Sequence, residues 1–302
     1  MNLKQLEYFV HVAGHGSFSR AATVLDIAQP ALSRQIRSLE AALNEQLFVR
    51  DGRGVSLTDA GMRLLEHSTA ILQLVTHARA DLCARRDEPS GRVSIGLPPS
   101  LNRLMTLPLI KCFKSQFPNA RLSIVEGLST NIIEWVMSGR VDLALAYNPE
   151  AQPGLDIVPL RDEALGLVSF TSTSLPQKRR LKGKSLPLKD LIDYPLIVPE
   201  RMHAMRRLLE TQAALAGVKL DIAWEVSSIP AIVELVRAGY GHAVLTATGL
   251  AALNGAGDLV LRPLVEPEIV NVLCVVSSAS KRQTPLALQT ASLLRQIVDQ
   301  IK

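Results

Sequence analysis

The chain has 302 residues, 47% of them hydrophobic and 20% charged, with a formal net charge of +5 at pH 7 and a sequence pI near 9.2. That length suggests two or three folded units, and no stretch of about 18 apolar residues is present to cross a membrane. The three cysteines, Cys83, Cys112 and Cys274, lie far apart and never as CxxC, which argues against a disulfide framework or a zinc cluster.

The opening residues, MNLKQLEYFVHVAGHG, carry Glu7 and two histidines and run into patterned helices. They do not read as an export signal, so a cytoplasmic protein is expected. Leu3, Leu6, Phe9, Val10 and Ala13 form a helical stripe that stops at Gly14 and Gly16. Ser17 can cap a second helix with Phe18, Ala21, Ala22 and Leu25 on its apolar face, and Asp26 to Ala28 remain as a turn.

Pro30 suits the first position of a third helix, which places Gln29 at its cap. Leu32, Ile36, Leu39 and Leu43 make its buried stripe; Arg34 and Arg37 fall opposite, with Ser33 and Ser38 on the flanks. Helix, short turn, helix is the arrangement whose second helix enters the DNA major groove. After it, residues 47–50, the turn Asp51-Gly52-Arg53-Gly54, and residues 55–57 read as a two-stranded wing. Through Thr58, six basic side chains face five acidic ones, so the placement of the cations, not bulk charge, carries the nucleic-acid argument.

Thr58 can cap a long helix running to about Arg86. Leu64, Ser68, Ile71, Val75, Ala78 and Leu82 recur in alternating gaps of four and three, the seam of a coiled coil, so a homodimer is expected. Residues 87–91, DEPSG, read as a hinge. Beyond Arg92, strands are expected at 93–97, 122–125, 141–146, 167–170, 196–198, 222–226, 242–245, 260–264 and 270–276. Helices are expected around 101–117, 130–138, 202–216 and 228–239, with a last one from about Leu286. The alternation predicts a mostly parallel α/β sheet in two lobes with a cleft.

These residues carry a resemblance over essentially the whole chain. GSFSRAATVLDIAQPALSRQIRSLE and LFVRDGRGVSLTDAG, with the long helix, SGRVSIG and VELVRAGYGHAVL, are similar to the LysR-type transcriptional regulators of bacteria. The resemblance implies a winged helix-turn-helix DNA-binding domain (1–58), a dimerising linker helix (59–88) and a two-lobed effector-binding domain (89–302) like periplasmic binding proteins. The first lobe would combine about 92–161 with 267–302, the second about 162–266. It further implies promoter DNA bent by a homotetramer built as a dimer of dimers, a small-molecule effector between the lobes, RNA polymerase as a candidate further partner, and no metal or other cofactor.

Within that frame, Gln29 and Arg34 are the candidates to read adenine and guanine edges, with Pro30 and Ser33 beside them and Arg37 reaching bases or only phosphate. Arg50 and Arg53 flank the wing turn and suit phosphate or the minor groove; Ser17 and Ser19 suit phosphate, although Ser17 explains itself as a cap. For the effector, hydroxyl-bearing helix starts follow three strand ends: Ser100 and Asn102, Ser129 and Thr130, and Ser228. Such starts favour an anion, although a cap serine needs no ligand. By family position Ser100 and Thr130 lead, followed by Ser228, His203 and Thr246.

The chain departs from the family at Leu245-Thr246-Ala247-Thr248, where a Leu-Pro pair is usual, and residues 199–208 hold no cysteine for a peroxide-sensing thiol. The basic loop 178–184 ends in Gly-Lys-Ser without the earlier glycine of a phosphate-binding loop. An enzyme finds none of its motifs here, neither HExxH, GxSxG nor GxGxxG. A solute-binding protein alone would call for export and would leave the first 58 residues unexplained.

Overall fold

The computed structural model describes residues 1–51, 54–83, 90–170, 185–253, 256–281 and 283–301. The chain divides into two compact units, Met1–Arg86 with Ser138–Arg140, and Asp87–Met137 with Val141–Lys302.

The first unit holds α1 (Leu3–His15), α2 (Phe18–Val24), α3 (Gln29–Leu43), the hairpin β1 (Phe48–Asp51) and β2 (Gly54–Leu57), and α4 (Asp59–Cys83). Each boundary has a local cause. Asn2 and Gln5 form a reciprocal capping box at the start of α1, and Gly16, left-handed at φ 56°, ends it. Ser17 Oγ accepts the Arg20 amide and starts α2. Asp26, at φ 52°, turns the chain toward α3. Tyr8, Phe9, Val12, Phe18, Ala21, Ala22, Leu32, Ile36 and Leu39 close one core, on which Phe48 of the wing also packs. The expected cap of α3 shifts by one residue: Ala28 is the cap, and Gln29 is the first helical residue. The hairpin pairs Phe48 with Leu57 and Asp51 with Gly54.

Thr58 fastens α4 to this core twice over. Its hydroxyl donates to the Gln46 carbonyl at 2.6 Å and accepts the Gly61 amide at 3.0 Å. Its own amide donates to the Leu47 carbonyl. The hinge residues 87–89 lie outside the described residues, as does the basic loop 178–184.

The second unit is α/β, but its main sheet is mixed, which corrects the mostly parallel expectation. The strand order is β4-β3-β5-β12-β6-β11-β7, with β10 also paired to β6. Here β3 (Gly91–Leu97) lies parallel to β4 (Ala120–Glu126) and β5 (Leu143–Tyr147), while β12 (Val270–Ser278) runs antiparallel to β5. The cause is β6 (Leu155–Phe170), one strand of 16 residues of which the sequence suggested only the end. It pairs antiparallel with β12, β10 (Ala243–Thr246) and β11 (Leu259–Val265), and so carries the chain from one core to another. The remaining strands are β7 (Leu186–Pro187), β8 (Leu196–Val198) and β9 (Ile222–Glu225), of which β8 and β9 pair in parallel.

Two cores result. Around the β3–β5 end, α5 (Pro99–Gln116) and α10 (Pro285–Gln300) cover one sheet face through Leu101, Met105, Leu109, Leu294 and Ile297. On the other face, α6 (Ser129–Ser138) buries Ile132 and Val136 against Ala144, Ala146 and Val276. The second core gathers Leu165, Leu167 and Val168 of β6 with β8, β10, α7 (Ala204–Leu215) and α8 (Ile229–Arg237). A short α9 (Ala247–Ala251) follows β10.

Candidate functional site: an exposed helix face and a cavity of helix starts

On α3, Gln29, Pro30, Arg34 and Arg37 are exposed, as the stripe of Leu32, Ile36 and Leu39 requires. Ser33 is not: it is 7% exposed, turned into the domain, and its carbonyl accepts Arg37 Nε at 3.4 Å. The expectation that Ser33, on the flank, stands beside Gln29 and Arg34 at the DNA is therefore corrected. A flank position on a helix packed by two neighbours is covered even though it lies off the apolar stripe. Ser19 is exposed, while the Ser17 hydroxyl is engaged as a cap. Arg53 and the side chain of Arg50 lie outside the described residues.

Along α4, Leu64 packs against the core of its own domain. Ile71 and Val75 are half-buried and Ala78 is exposed, while the side chain of Leu82 lies outside the described residues. Ser68 is fully buried.

In the second unit a cavity of about 640 Å³ lies where helices begin. Its wall includes Pro99 and Ser100 of α5, Ser129 of α6, His203 and Ala204 at α7, and Ser228 and Ile229 at α8. Free N–H groups of four helices of nine residues or more thus open toward one space, which favours negative charge there. Ser100, Asn102, Ser129, His203, Ser228 and Thr246 all line it. Thr130 does not: one residue past Ser129 the helix has turned by about 100°, and its Oγ1 is buried with no hydrogen-bond partner among the described residues.

Several of these groups already have structural work. Ser129 Oγ accepts the Tyr147 amide at 3.0 Å, and Thr246 Oγ1 caps α9 by accepting the Gly249 amide at 3.0 Å. Asn102 is bonded at both ends, to Thr106 at 2.6 Å and Glu126 at 2.7 Å. Ser228 and His203 precede α8 and α7 without capping them. Burial lowers the pKa of His203, and its Nδ1 is buried without a partner among the described residues, so its imidazole is neutral.

Three wall or near-wall groups, Asn271, Tyr147 and Glu163, are not among the candidates named from the sequence. Asn271 is 3% exposed, and its Oδ1 accepts Asn148 Nδ2 at 2.6 Å. Asn148 Oδ1 in turn accepts the Val272 amide at 2.8 Å, which fixes both amides and turns the Asn271 NH2 toward the cavity as a donor. Tyr147 lines the cavity, and its hydroxyl donates to Glu163 Oε2 at 3.4 Å. Burial first, then the Glu163 charge, pushes the Tyr147 pKa far above the ordinary tyrosine value, so it stays a protonated donor. Glu163 is held by Arg161 Nη2 at 2.9 Å and the Thr248 hydroxyl at 2.8 Å. Of these, Tyr147 was accessible to sequence reasoning, since it ends a strand at the edge where such sheets bind ligands.

Among the described residues no His, Cys, Asp and Glu cluster could hold a metal ion. Cys274 is buried, and burial, then the Asp162 charge, raises its thiol pKa, which makes it a poor nucleophile.

Residues 3–62 match the family described as bacterial regulatory helix-turn-helix protein, lysR family, and residues 86–299 match the LysR substrate binding domain. The chain belongs to the LysR family. It is 30% identical to the nitrogen assimilation regulatory protein nac of Klebsiella aerogenes, over 99% of this chain and 95% of that one. Full-length CbnR, solved in complex with its target DNA, superposes with a TM-score of 0.70 at 25% identity, over 98% of this chain and all of that one. A full-length OxyR from Pseudomonas aeruginosa shares the fold at TM-score 0.71 and 21% identity, over 99% of this chain and 94% of that one. The protein is thus a LysR-type DNA-binding transcriptional regulator with an effector-binding domain, in a family of regulators and not of enzymes. No helix among the described residues is long and apolar enough to cross a membrane.

Proposed function

We propose that this LysR regulator is a cytoplasmic protein that binds and bends promoter DNA in response to a small anionic effector held in the cavity of the second unit. The observation that carries the effector class is the convergence of four helix starts, the neutral His203, the Ser100 and Ser228 hydroxyls and the Asn271 amide on one space of about 640 Å³. Pro98, Leu128, Met205, Leu245 and Leu253 add an apolar wall for the body of the ligand. A thermal-shift screen of the full chain against small carboxylates and their uncharged amides tests this. Stabilisation by carboxylates alone supports it, and a response to the amides alone contradicts it.

DNA is read by Gln29 and Arg34 on α3, with Arg37, Ser17, Ser19 and the wing residues Arg50 and Arg53 toward phosphates. Two copies pair through α4 with Ile71, Val75, Ala78 and Leu82 in the seam, and pairs assemble into a tetramer that can engage RNA polymerase. Leu64 contributes less to that seam, because its own domain core occupies it. The working division is 1–58, 59–88 and 89–302. The two cores joined by β6 support the division of the last part into lobes.

A further inference from the structure

Asn271 of β12 is 3% exposed and lines the cavity, and its neighbours leave its amide one orientation. The Val272 N–H can only donate, so the Asn148 atom that meets it at 2.8 Å is Oδ1, and the other end of that amide is the NH2. The Asn148 NH2 in turn lies 2.6 Å from Asn271, so the atom facing it is Asn271 Oδ1. The Asn271 NH2 is the end turned away. The backbone holds the lock in place: Asn148 sits at φ 46°, a left-handed conformation that asparagine tolerates, and its own N–H donates to the Val272 carbonyl at 2.9 Å.

The two N–H groups of Asn271 find no acceptor among the described residues. The carboxylate directly across the sheet, Glu163 on β6, is already occupied. Its oxygens accept from Arg161 at 2.9 Å, the Thr248 hydroxyl at 2.8 Å and the Tyr147 hydroxyl at 3.4 Å. Glu126, the carboxylate on the cavity wall, is exposed at the end of β4 and accepts Asn102 Nδ2 at 2.7 Å. A covered N–H without an acceptor is destabilising, and an apolar residue at this strand position would avoid that cost. An acceptor supplied from outside the chain accounts for the amide.

We infer that Asn271 determines effector specificity: it donates to an acceptor-only oxygen on the body of the ligand, and Asn148 is the positioning residue that keeps Asn271 from offering its own oxygen instead. This rests on the proposed anionic effector and deepens it. The class narrows to a small carboxylic acid with a second acceptor, an oxo acid or a dicarboxylate. Amino acids fall outside it, since an ammonium group at that place would set N–H against N–H.

The test uses the full chain and thermal shift at matched ionic strength. The probes are pentanoate, its alpha-oxo and gamma-oxo derivatives, the dicarboxylate glutarate, and the amino acids in which ammonium replaces each oxo group. The wild type is expected to bind an oxo acid or glutarate roughly threefold to tenfold more tightly than pentanoate, and the amino acids more weakly than pentanoate. An oxo acid above glutarate identifies a carbonyl as the acceptor, and the reverse order a second carboxylate. Asn271→Leu should erase the preference. Asn271→Asp keeps one oxygen for Asn148 and turns another to the cavity, so it should reverse the preference in favour of the amino acids. Should that buried carboxylate prevent folding, Asn148→Gly still decides. Glycine accepts the left-handed backbone without strain, and without the lock the Asn271 amide can turn over and bring oxo and amino acids to similar affinity. Circular dichroism checks that each variant is folded. A wild type that binds pentanoate as tightly as the oxo acids and glutarate, one that prefers the amino acids, or an unaltered preference in Asn271→Leu or Asn148→Gly overturns this role while the anionic reading of the cavity stands. A wild type stabilised by none of these acids, nor by any other small carboxylate, overturns both.

Discussion

Arg161 and Glu163, two residues apart on β6, form an ion pair at 2.9 Å at the point where the strand passes from one core to the other. Glu163 is 6% exposed at its side chain and Arg161 25%. Arg161 Nη1 also donates to the carbonyls of Val298 and Ile301 at the end of α10, at 3.0 and 2.7 Å. The Thr248 hydroxyl joins the pair from α9. One cluster therefore ties the crossing strand, the last helix and the segment after β10 together, and reaches the cavity through the Tyr147 hydroxyl. Thr248 belongs to the stretch where this chain departs from its family, and its hydroxyl now has a partner that explains it.

Replacing Glu163 with Gln removes the charge that Arg161, Thr248 and Tyr147 share. A loss of about 2 kcal/mol is expected, below the full cost of breaking a buried pair because Arg161 is partly solvated. Denaturant unfolding measures it. The same variant should ionise Tyr147 at a lower pH than the wild type, since one cause of its raised pKa is gone. Ultraviolet absorbance through an alkaline titration reads that directly.

His203 makes stability depend on pH in a defined window. Burial lowers its folded pKa below 6.5, so its contribution is fully present above pH 6.5 and is lost as the pH falls through the folded value. The urea midpoint of the full chain is expected to decline below pH 6.5 in part through this group. His203→Gln should flatten that portion of the profile, and an unchanged profile would remove His203 from the account.

Gly61, in the first turn of α4, lies against the backbone of Leu47. A Cβ at this position would overlap the Leu47 carbonyl oxygen and crowd Leu57. Gly61→Ala should therefore cost roughly 1–3 kcal/mol through overpacking. It should also displace the Thr58 bonds that anchor the helix, which a lower melting temperature and faster amide exchange in the Gln46–Thr58 segment would report.

The elements most legible from the sequence were those whose cause is local. The stripes of α1, α2 and α3, the Ser17 and Thr58 caps and most strands beyond Arg92 follow from periodicity and punctuation within a few residues. The start of β6 was hidden because Asp156, Pro159, Arg161, Asp162 and Glu163 do not make an apolar run. A register shift opposite Leu273 and Cys274 lets Pro159 stay in the strand. Thr248 and Glu163 meet across 85 residues, and Asn148 and Asn271 across 123. No local pattern announces such pairs. Arg206 lay hidden for the opposite reason: on a helix its charge reads as solvated, and only packing reveals it as buried.

The central claim is that α3 presents Arg34 to bases in the major groove. Arg34 is exposed, so Arg34→Ala leaves the fold intact. The decisive measurement is a mobility shift with the protein's own upstream DNA, comparing wild type and Arg34→Ala in the presence of excess nonspecific duplex. The account predicts a loss of about 1–3 kcal/mol in specific binding, with nonspecific binding nearly unchanged. Equal specific affinity in the two proteins would contradict it.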